Sequence, residues 1–217
     1  MLWIVIEILA AVTGIIYVFL EVKKTRKMWY WMIVSSILNG IAFVHKGFLS
    51  MTVIQIYYIV TAVYGIAKWT KVVDAAVEQY GYEDPKTRKS VAIVRPDSKK
   101  IAVSSAIALV LFAVMSFISM HSSAPSAGDI PGKPYWDAGI AVLSMLATYW
   151  LTQSYYAQWY VWLVVNITGI VVFLFPVFTG HSESAMIPIG LTYVIYLVNN
   201  IRGIINWRKH GVIVDNV

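Results

Sequence analysis

Seven apolar segments divide this chain, and each is close to the length that a helix needs to cross a bilayer. A helix spanning the hydrocarbon core takes about 20 predominantly apolar residues. Hydrophobic residues make up 59% of the chain and charged residues only 13%, too few to coat a water-soluble globule of this size. We therefore predict an all-α polytopic membrane protein with spans at residues 2–20, 28–44, 48–69, 101–120, 135–151, 158–178 and 185–207.

The basic residues predict how these spans are oriented. Lysine and arginine accumulate in the cytoplasmic loops of membrane proteins. If the N-terminus lies outside, 15 of the 17 lysines and arginines fall on the cytoplasmic side, and only Lys46 and Lys133 remain outside. The sequence therefore predicts an N-out, C-in topology.

Spans three and seven share a motif. Both end in Gly-Ile-x-x-Trp, which starts at Gly65 and at Gly203, and Tyr58 and Tyr196 each stand eleven residues before the tryptophan. Spans two and six both open on a Trp-Tyr pair. An aromatic belt at the membrane surface would explain the tryptophans alone. It would not explain the matched glycines and tyrosines, which indicate an internal repeat.

The repeat predicts an architecture of three, one and three helices. Two triplets joined by a single helix run in the same direction, as in transporters built from parallel repeats such as the SWEET proteins. The substrate site would then lie between the bundles, near the middle of the bilayer. The predicted parts are a first bundle (1–69), a cytoplasmic loop (70–100), a connector helix with an outer loop (101–134), a second bundle (135–207) and a cytoplasmic tail (208–217).

Four amide side chains fall inside the apolar spans: Gln55, Asn166, Asn199 and Asn200. Polar groups deep in a bilayer are costly unless they are paired or face a cavity. An amide offers both a donor and an acceptor, which suits a hydrogen-bonding solute such as a carboxamide or a ribose. The alternative is that these amides join helices to one another.

One face of span six combines two indoles with an amide. Trp159, Trp162 and Asn166 follow one another at three and four residues and therefore share a helix face. Such a face can stack on a flat ring and orient it, and aromatic faces also favour cations. Tyr58 and Tyr196 would line the same cavity. Alternatively, Trp159 belongs to the interfacial belt and both tyrosines belong to the core.

The remaining ionisable residues indicate no catalytic or metal chemistry. Glu7 and Asp137 lie near the outer ends of their spans, and we identify no carboxylate deeper in the pathway, which favours downhill movement over proton coupling. The four histidines are dispersed and there is no cysteine, so we predict no metal site and no cofactor. Span seven also lacks the mid-helix lysine that a retinal photoreceptor requires.

Residues 159–166, with the pattern WxxWxxxN, resemble a signature of the PnuC family of bacterial vitamin transporters. Gln55 through Trp69 is similar to that family's third core helix, and the openings of spans one and five are also similar. The resemblance covers nearly the whole chain outside the loop at 70–100. One departure is Ile66, where family members often carry an aromatic residue after the glycine.

This resemblance implies a carrier for nicotinamide riboside in the bacterial inner membrane. It implies facilitated diffusion, a cytoplasmic kinase that traps the solute by phosphorylation, and substrate contacts from Gln55, Trp159, Trp162 and Asn166. The family also includes carriers of thiamine, riboflavin and deoxynucleosides, so thiamine is the alternative substrate. A seven-helix receptor or membrane enzyme is the alternative outside transport. Small residues on several spans permit, without requiring, a homo-oligomer.

Overall fold

A computed structural model describes residues 2–45, 49–80, 91–121, 133–178 and 187–214. Within these ranges the chain forms seven helices and two short strands. The predicted first residues of spans three and seven, at 48 and 185, lie outside the described residues, as does most of the outer loop at 121–134. The elements are α1 (Leu2–Val22), α2 (Lys27–His45), α3 (Leu49–Tyr80), β1 (Val91–Val94), α4 (Ser98–His121), α5 (Lys133–Thr152), α6 (Gln158–Phe178), α7 (Ile187–His210) and β2 (Gly211–Val214).

Six of the seven helices close into a ring. Each of α1, α2 and α3 packs against the next, as do α5, α6 and α7. The two sets meet where α3 packs on α5 and where α7 packs on α1, so the order around the ring is α1-α2-α3-α5-α6-α7. Helix α4 stands outside the ring, mainly against α5.

The outer surface of the bundle is apolar, as a lipid-facing surface must be. Four stretches of the described helices are long and apolar enough to span a membrane: Val5–Val22, Lys27–His45, Ser50–Val72 and Ser98–His121. In the last of these, only 11% of the residues are buried within the protein, which leaves α4 largely to the lipid. Helix α6 contributes a shorter apolar stretch, Gln158–Leu174.

Two turns of the same design join α1 to α2 and α5 to α6. Lys24 and Ser154 each adopt a left-handed backbone conformation, with φ of 48° and 60°. In the first turn the amides of Lys24 and Thr25 donate to the carbonyls of Glu21 and Leu20; in the second, Ser154 and Tyr155 make the same two bonds 130 residues later. A left-handed residue that closes a helix is normally glycine.

The segment after span three departs from the prediction. Helix α3 continues without a break to Tyr80, which makes it 32 residues long, or about 48 Å. The first part of the predicted cytoplasmic loop, residues 70–80, is therefore helical. Strand β1 then pairs in parallel with β2, from Val91 opposite Gly211 to Val94 opposite Val214. Neither strand was predicted, because four apolar residues beside a loop carry no periodicity that distinguishes them.

A cluster of buried aromatic side chains fills one end of the ring. Trp29 and Trp69 meet edge to face with their ring centroids 4.9 Å apart, and Trp159 and Trp207 do so at 5.4 Å. All four are almost completely buried. We call this the basic end, because it also holds Lys24, and we call the end that holds Glu7 and His45 the opposite end.

Candidate functional site

The ring encloses a cavity of about 180 Å³. That volume would hold on the order of a dozen water molecules. All six helices of the ring contribute to its lining, and α4 does not. Along α1 the lining runs from Glu7 to Glu21, a rise of about 21 Å at 1.5 Å per residue. The cavity therefore follows much of the length of a membrane-spanning helix.

The structure brings together every residue that the sequence analysis proposed for substrate contact. The eight lie on α3, α6 and α7 and share this one lining: Gln55, Tyr58, Trp159, Trp162, Asn166, Tyr196, Asn199 and Asn200. Trp159 is only 2% exposed and packs against Trp207, which excludes the alternative that it belongs to a surface belt.

Some of these polar groups also hold helices together, as the alternative interpretation proposed. The Asn200 amide Nδ2 donates to the Trp159 carbonyl at 2.9 Å and so joins α7 to α6. The Gln55 Nε2 donates to Met51 within its own helix at 3.1 Å. The Tyr58 hydroxyl is a hydrogen-bond partner of Ser144 on α5.

Other polar atoms in the lining have no protein partner. Within the described residues these are the indole Nε1 atoms of Trp159 and Trp162, the amide Nδ2 of Asn199, the amide Oδ1 of Asn200 and the carboxylate Oε1 of Glu21. A buried polar group without a partner costs about 1–3 kcal/mol. Three donors and two acceptors on cavity-lining side chains are thus buried without a protein partner, and a rotation of these side chains would offer them to a solute with hydroxyl and carboxamide groups.

The expectation that no carboxylate lies deep in the pathway is wrong. Glu21 lines the cavity and is 3% exposed. The sequence analysis ended the first span at Leu20, whereas α1 continues to Val22 and so includes the acid. A charged residue at the end of an apolar run is normally taken as the boundary of the span. For this reason Glu21 was placed outside the predicted span.

Helix α2 also contributes to the lining, which was not predicted. Ser35, Ser36 and Asn39 line the cavity, and the Asn39 amide Nδ2 donates to the Ser35 carbonyl at 2.9 Å. The rule that identified Gln55, a polar side chain within an apolar span, applies equally to Asn39 and would have found it. On α7, Thr192 and Tyr193 join the same lining.

The basic end of the cavity is closed by packed and hydrogen-bonded groups. The Lys24 Nζ donates to the Ala92 carbonyl of β1 and to the Ser154 Oγ at 2.8 Å, and it lies 5.2 Å from the ring centroids of both Trp69 and Trp207. Burial lowers the pKa of the Lys24 ammonium to about 7. One lysine thereby links the α1–α2 turn to the α5–α6 turn and to the sheet.

Further bonds at the basic end connect the two halves of the ring. The Trp69 Nε1 donates to the Leu151 carbonyl at 3.1 Å, from α3 to α5. The Asn206 Nδ2 donates to the Val22 carbonyl at 2.9 Å, from α7 to α1. At the opposite end the lining reaches Glu7, which is partly exposed. The cavity is thus closed at the basic end and extends toward the opposite end.

Comparisons with known proteins agree with this fold. A family model described as nicotinamide mononucleotide transporter matches residues 4–209. A solved structure titled "Crystal structure of the Vitamin B3 transporter PnuC" aligns with a TM-score of 0.67 and 23% identity, covering 94% of this chain and 80% of that one. This likeness shows a common fold.

Relatives of known name are also similar along most of the chain. The nicotinamide riboside transporter PnuC of Neisseria mucosa is 28% identical over 204 residues, which cover 92% of this chain and 70% of the relative. The protein of the same name from Escherichia coli K12 is 20% identical over 176 residues, which cover 77% and 73%.

These matches confirm the resemblance to PnuC and favour the transporter over the receptor and enzyme alternatives. A transporter of this kind binds a small solute and sits in a lipid bilayer, as the apolar helices require. The chain belongs to the nicotinamide mononucleotide transporter family, together with the PnuC proteins, and is a multi-pass membrane transporter.

Proposed function

We propose that this protein carries nicotinamide riboside across the membrane by facilitated diffusion. The named relatives transport that compound, and the cavity has the chemistry to bind it. Nicotinamide riboside consists of a flat pyridinium ring with a carboxamide, joined to a ribose. The observation that carries the proposal is the shared cavity face of Trp159, Trp162 and Asn166. Its indoles can stack on the ring, and its amide can bind the carboxamide or a ribose hydroxyl.

The lining favours the riboside over the phosphorylated mononucleotide in the family's description. A phosphate group is normally bound by arginine, lysine or a helix N-terminus. None of the described residues that line the cavity is a lysine or an arginine, and two are carboxylates, Glu7 and Glu21. A phosphate would therefore enter without a counter-charge and close to negative charge.

We also propose that the two triplets are parallel repeats of SWEET-like design, joined by α4. The ring order supports this, because exchanging α1, α2 and α3 with α5, α6 and α7 reproduces the same set of neighbours. The two turns with identical hydrogen bonds at an interval of 130 residues support it further. Under this proposal the bundles are residues 1–69 and 135–207, the connector and outer loop are 101–134, and the segments 70–100 and 208–217 lie in the cytoplasm.

The same proposal orients the closed end. With the N-terminus outside and the C-terminus inside, the basic end faces the cytoplasm of a bacterial cell, across the inner membrane. The cavity then faces outward, closed on the inner side by the aromatic cluster and by Lys24. Transport requires these cross-links between the halves to open after the solute has bound.

Trapping of the solute inside the cell would make the net movement inward. We propose a cytoplasmic kinase as the metabolic partner, since phosphorylation makes the solute an anion that the cavity disfavours. Copies of the chain can associate through exposed small residues of α4, such as Ala106 and Ala113, although transport does not require it.

Uptake into proteoliposomes tests the proposed function. Labelled nicotinamide riboside should enter faster than into empty vesicles, and collapsing the proton gradient with an ionophore should leave the rate unchanged. Labelled thiamine, a cation of similar size, tests the alternative substrate. Entry of thiamine alone would replace nicotinamide riboside as the substrate, and entry of neither would reject the transport proposal for both.

The variant Asn166→Leu tests the face that carries the proposal. Leucine is similar in size but offers no hydrogen bond, so the fold should persist while riboside binding is strongly weakened. The loss of a buried hydrogen-bonding partner corresponds to about 1–3 kcal/mol, or roughly 5- to 150-fold in affinity. Unchanged affinity would assign Asn166 a purely structural role.

A further inference from the structure

Glu21 is a buried acid inside the cavity that the helix packing does not use. It sits in the last turn of α1, lines the cavity and is 3% exposed. The Tyr17 hydroxyl is a hydrogen-bond partner of the carboxylate. Its Oε1 atom has no hydrogen-bond partner within the described residues. This oxygen is buried at the cavity wall, so a small rotation of the side chain would present it to a molecule in the cavity.

Of the two lysines that follow Glu21 in the α1–α2 turn, Lys23 is exposed and Lys24 is engaged elsewhere. The Lys24 Nζ donates to the Ala92 carbonyl and the Ser154 hydroxyl and lies over two indole rings. No lysine or arginine of the described chain lines the cavity. The described protein residues around the cavity thus supply no lysine or arginine charge to balance the carboxylate of Glu21.

A lone carboxylate away from water is costly, and a nearby cation offsets that cost. Between groups shielded from bulk water, the attraction of opposite charges is several times stronger than in bulk water. Aromatic rings beside the carboxylate act in the same direction, because their faces also attract cations. Tyr17 and Tyr196 lie close enough to interact electrostatically with Glu21, and Trp159 lines the same cavity.

The packing of α7 against α1 fixes this arrangement. A Cβ atom added to Gly14 would lie 2.3 Å from the Tyr196 hydroxyl oxygen, so the glycine allows the tyrosine to approach α1. The phenol is thereby held at Gly14, about two turns before Glu21 along α1. The resulting pocket has a carboxylate, phenol rings and an indole, which together suit an aromatic or quaternary cation.

We propose that Glu21 selects for the positive charge of the solute. This inference rests on the proposed function and extends it: the pyridinium of nicotinamide riboside is a permanent cation, and Glu21 is its counter-charge in the inner half of the pathway. Residue 151, which stands 130 positions later, is the apolar Leu151. The second triplet therefore offers no duplicate of this charge.

A pair of ligands that differ in charge but hardly in shape tests the proposal. Nicotinamide riboside is a cation, whereas its dihydro form has the same ribose and carboxamide and is neutral. Binding of both to the purified full chain is measured by calorimetry or by competition with labelled riboside. The wild type should bind the cation at least tenfold more tightly than the dihydro form.

The variant Glu21→Gln should remove most of this preference. We expect its affinity for the cation to fall about 10- to 100-fold, on the scale of a buried charge pair, and its affinity for the neutral form to change less than about threefold. Glu21→Asp should recover part of the preference. Asp74→Asn, an exposed acid of α3 outside the cavity lining, is the matched control and should behave as the wild type.

The outcomes separate this inference from the proposed function. A wild-type protein that binds neither riboside would reject the proposed function. A wild-type protein that binds both equally, or a Glu21→Gln variant that keeps the preference, would overturn the role of Glu21 alone. Equal loss of both ligands in Glu21→Gln would also overturn it. If that variant does not fold, competition on the wild type by 1-methylnicotinamide and by neutral nicotinamide decides, and no preference for the former rejects the proposal.

Discussion

The two triplets present different side chains at matching positions. In the second, Trp159, Trp162 and Asn166 line the cavity; in the first, the same spacing carries Trp29, Met32 and Ser36. Trp159 packs on Gly203 of a neighbouring helix, and Trp29 packs on Gly65. Of these two tryptophans, only Trp159 reaches the cavity.

This difference shows that the same helix pattern serves helix packing at one position and solute recognition at others. In both halves the first tryptophan and the glycine on which it packs close the helix pair. The residues three and seven positions later decide what each half offers the solute. The first half provides a flexible methionine, a small serine and the carboxylate of Glu21, while the second provides an indole and an amide.

The largest effect is expected from giving the second half the residues of the first. The double variant Trp162→Met and Asn166→Ser removes a stacking surface and an amide together. We expect a loss of at least about 3 kcal/mol in binding, or more than 100-fold in riboside affinity. Calorimetry on the purified protein measures it. The conservative variant Met32→Leu is the control, and an equal loss there would contradict a division of roles between the halves.

Replacing either Gly65 or Gly203 by alanine should lower stability by a similar amount, but the two variants should differ in riboside binding. An added Cβ would lie 2.5 Å from the Trp29 ring at Gly65 and 2.2 Å from the Trp159 ring at Gly203. Overpacking of this kind costs about 1–3 kcal/mol. Thermal unfolding should therefore show a similar loss for Gly65→Ala and Gly203→Ala, whereas only Gly203→Ala should weaken riboside binding.

The matched control for this pair is Gly139→Ala. Its added Cβ would meet the Phe112 ring at an ordinary contact distance of 3.6 Å. It should unfold close to the temperature of the wild type. Weakened binding in Gly65→Ala would show that the first half also positions an aromatic ring for the solute.

A smaller effect is expected from removing one indole N–H in each half. Trp29→Phe and Trp159→Phe both lose an Nε1 that has no partner within the described residues. If the Trp159 Nε1 donates to the solute, its loss should weaken binding by about 1 kcal/mol, or roughly fivefold. Trp29→Phe should leave affinity unchanged. Titration of both variants with riboside distinguishes them, and equal affinities would remove Trp159 Nε1 from the set of solute contacts.

The smallest effect concerns the lysine that joins the halves. The pKa of Lys24 is about 7 in the folded protein against an ordinary 10.5, because burial disfavours its charge. Between these values the unfolded chain binds more protons, so the free energy of unfolding should rise with pH and level off above about 10.5. Melting temperatures measured at pH 7 and pH 9.5 should increase by a few degrees. Lys24→Met should flatten the increase, and an unchanged slope would assign it to another group.

Sequence reasoning reached most of the fold and part of the cavity lining. Long apolar runs predict helices directly, and amides such as Gln55 and Asn166 stand out in them because polar groups are costly there. The eight predicted contact residues share one cavity for this reason. Whether they contact the solute stays a prediction.

The parts that escaped prediction have no strong local signal. Glu21 lies where an apolar run meets a basic turn, a position that normally marks the end of a span. Strands β1 and β2 are short and lie 120 residues apart, and their pairing depends on the folded ring, which brings them together. The left-handed conformation of Lys24 and Ser154 is also hidden, because neither is glycine.

The small sheet connects the end of the described chain to the contacts that close the cavity. Strand β2 follows α7 directly and pairs with β1, whose Ala92 carbonyl accepts a hydrogen bond from the Lys24 Nζ. Any motion that separates the triplets at this end must either break that contact or carry both strands along. A fluorescent label beside Val214 would therefore report each opening of the closed end, and a bulky tag fused there would slow that opening.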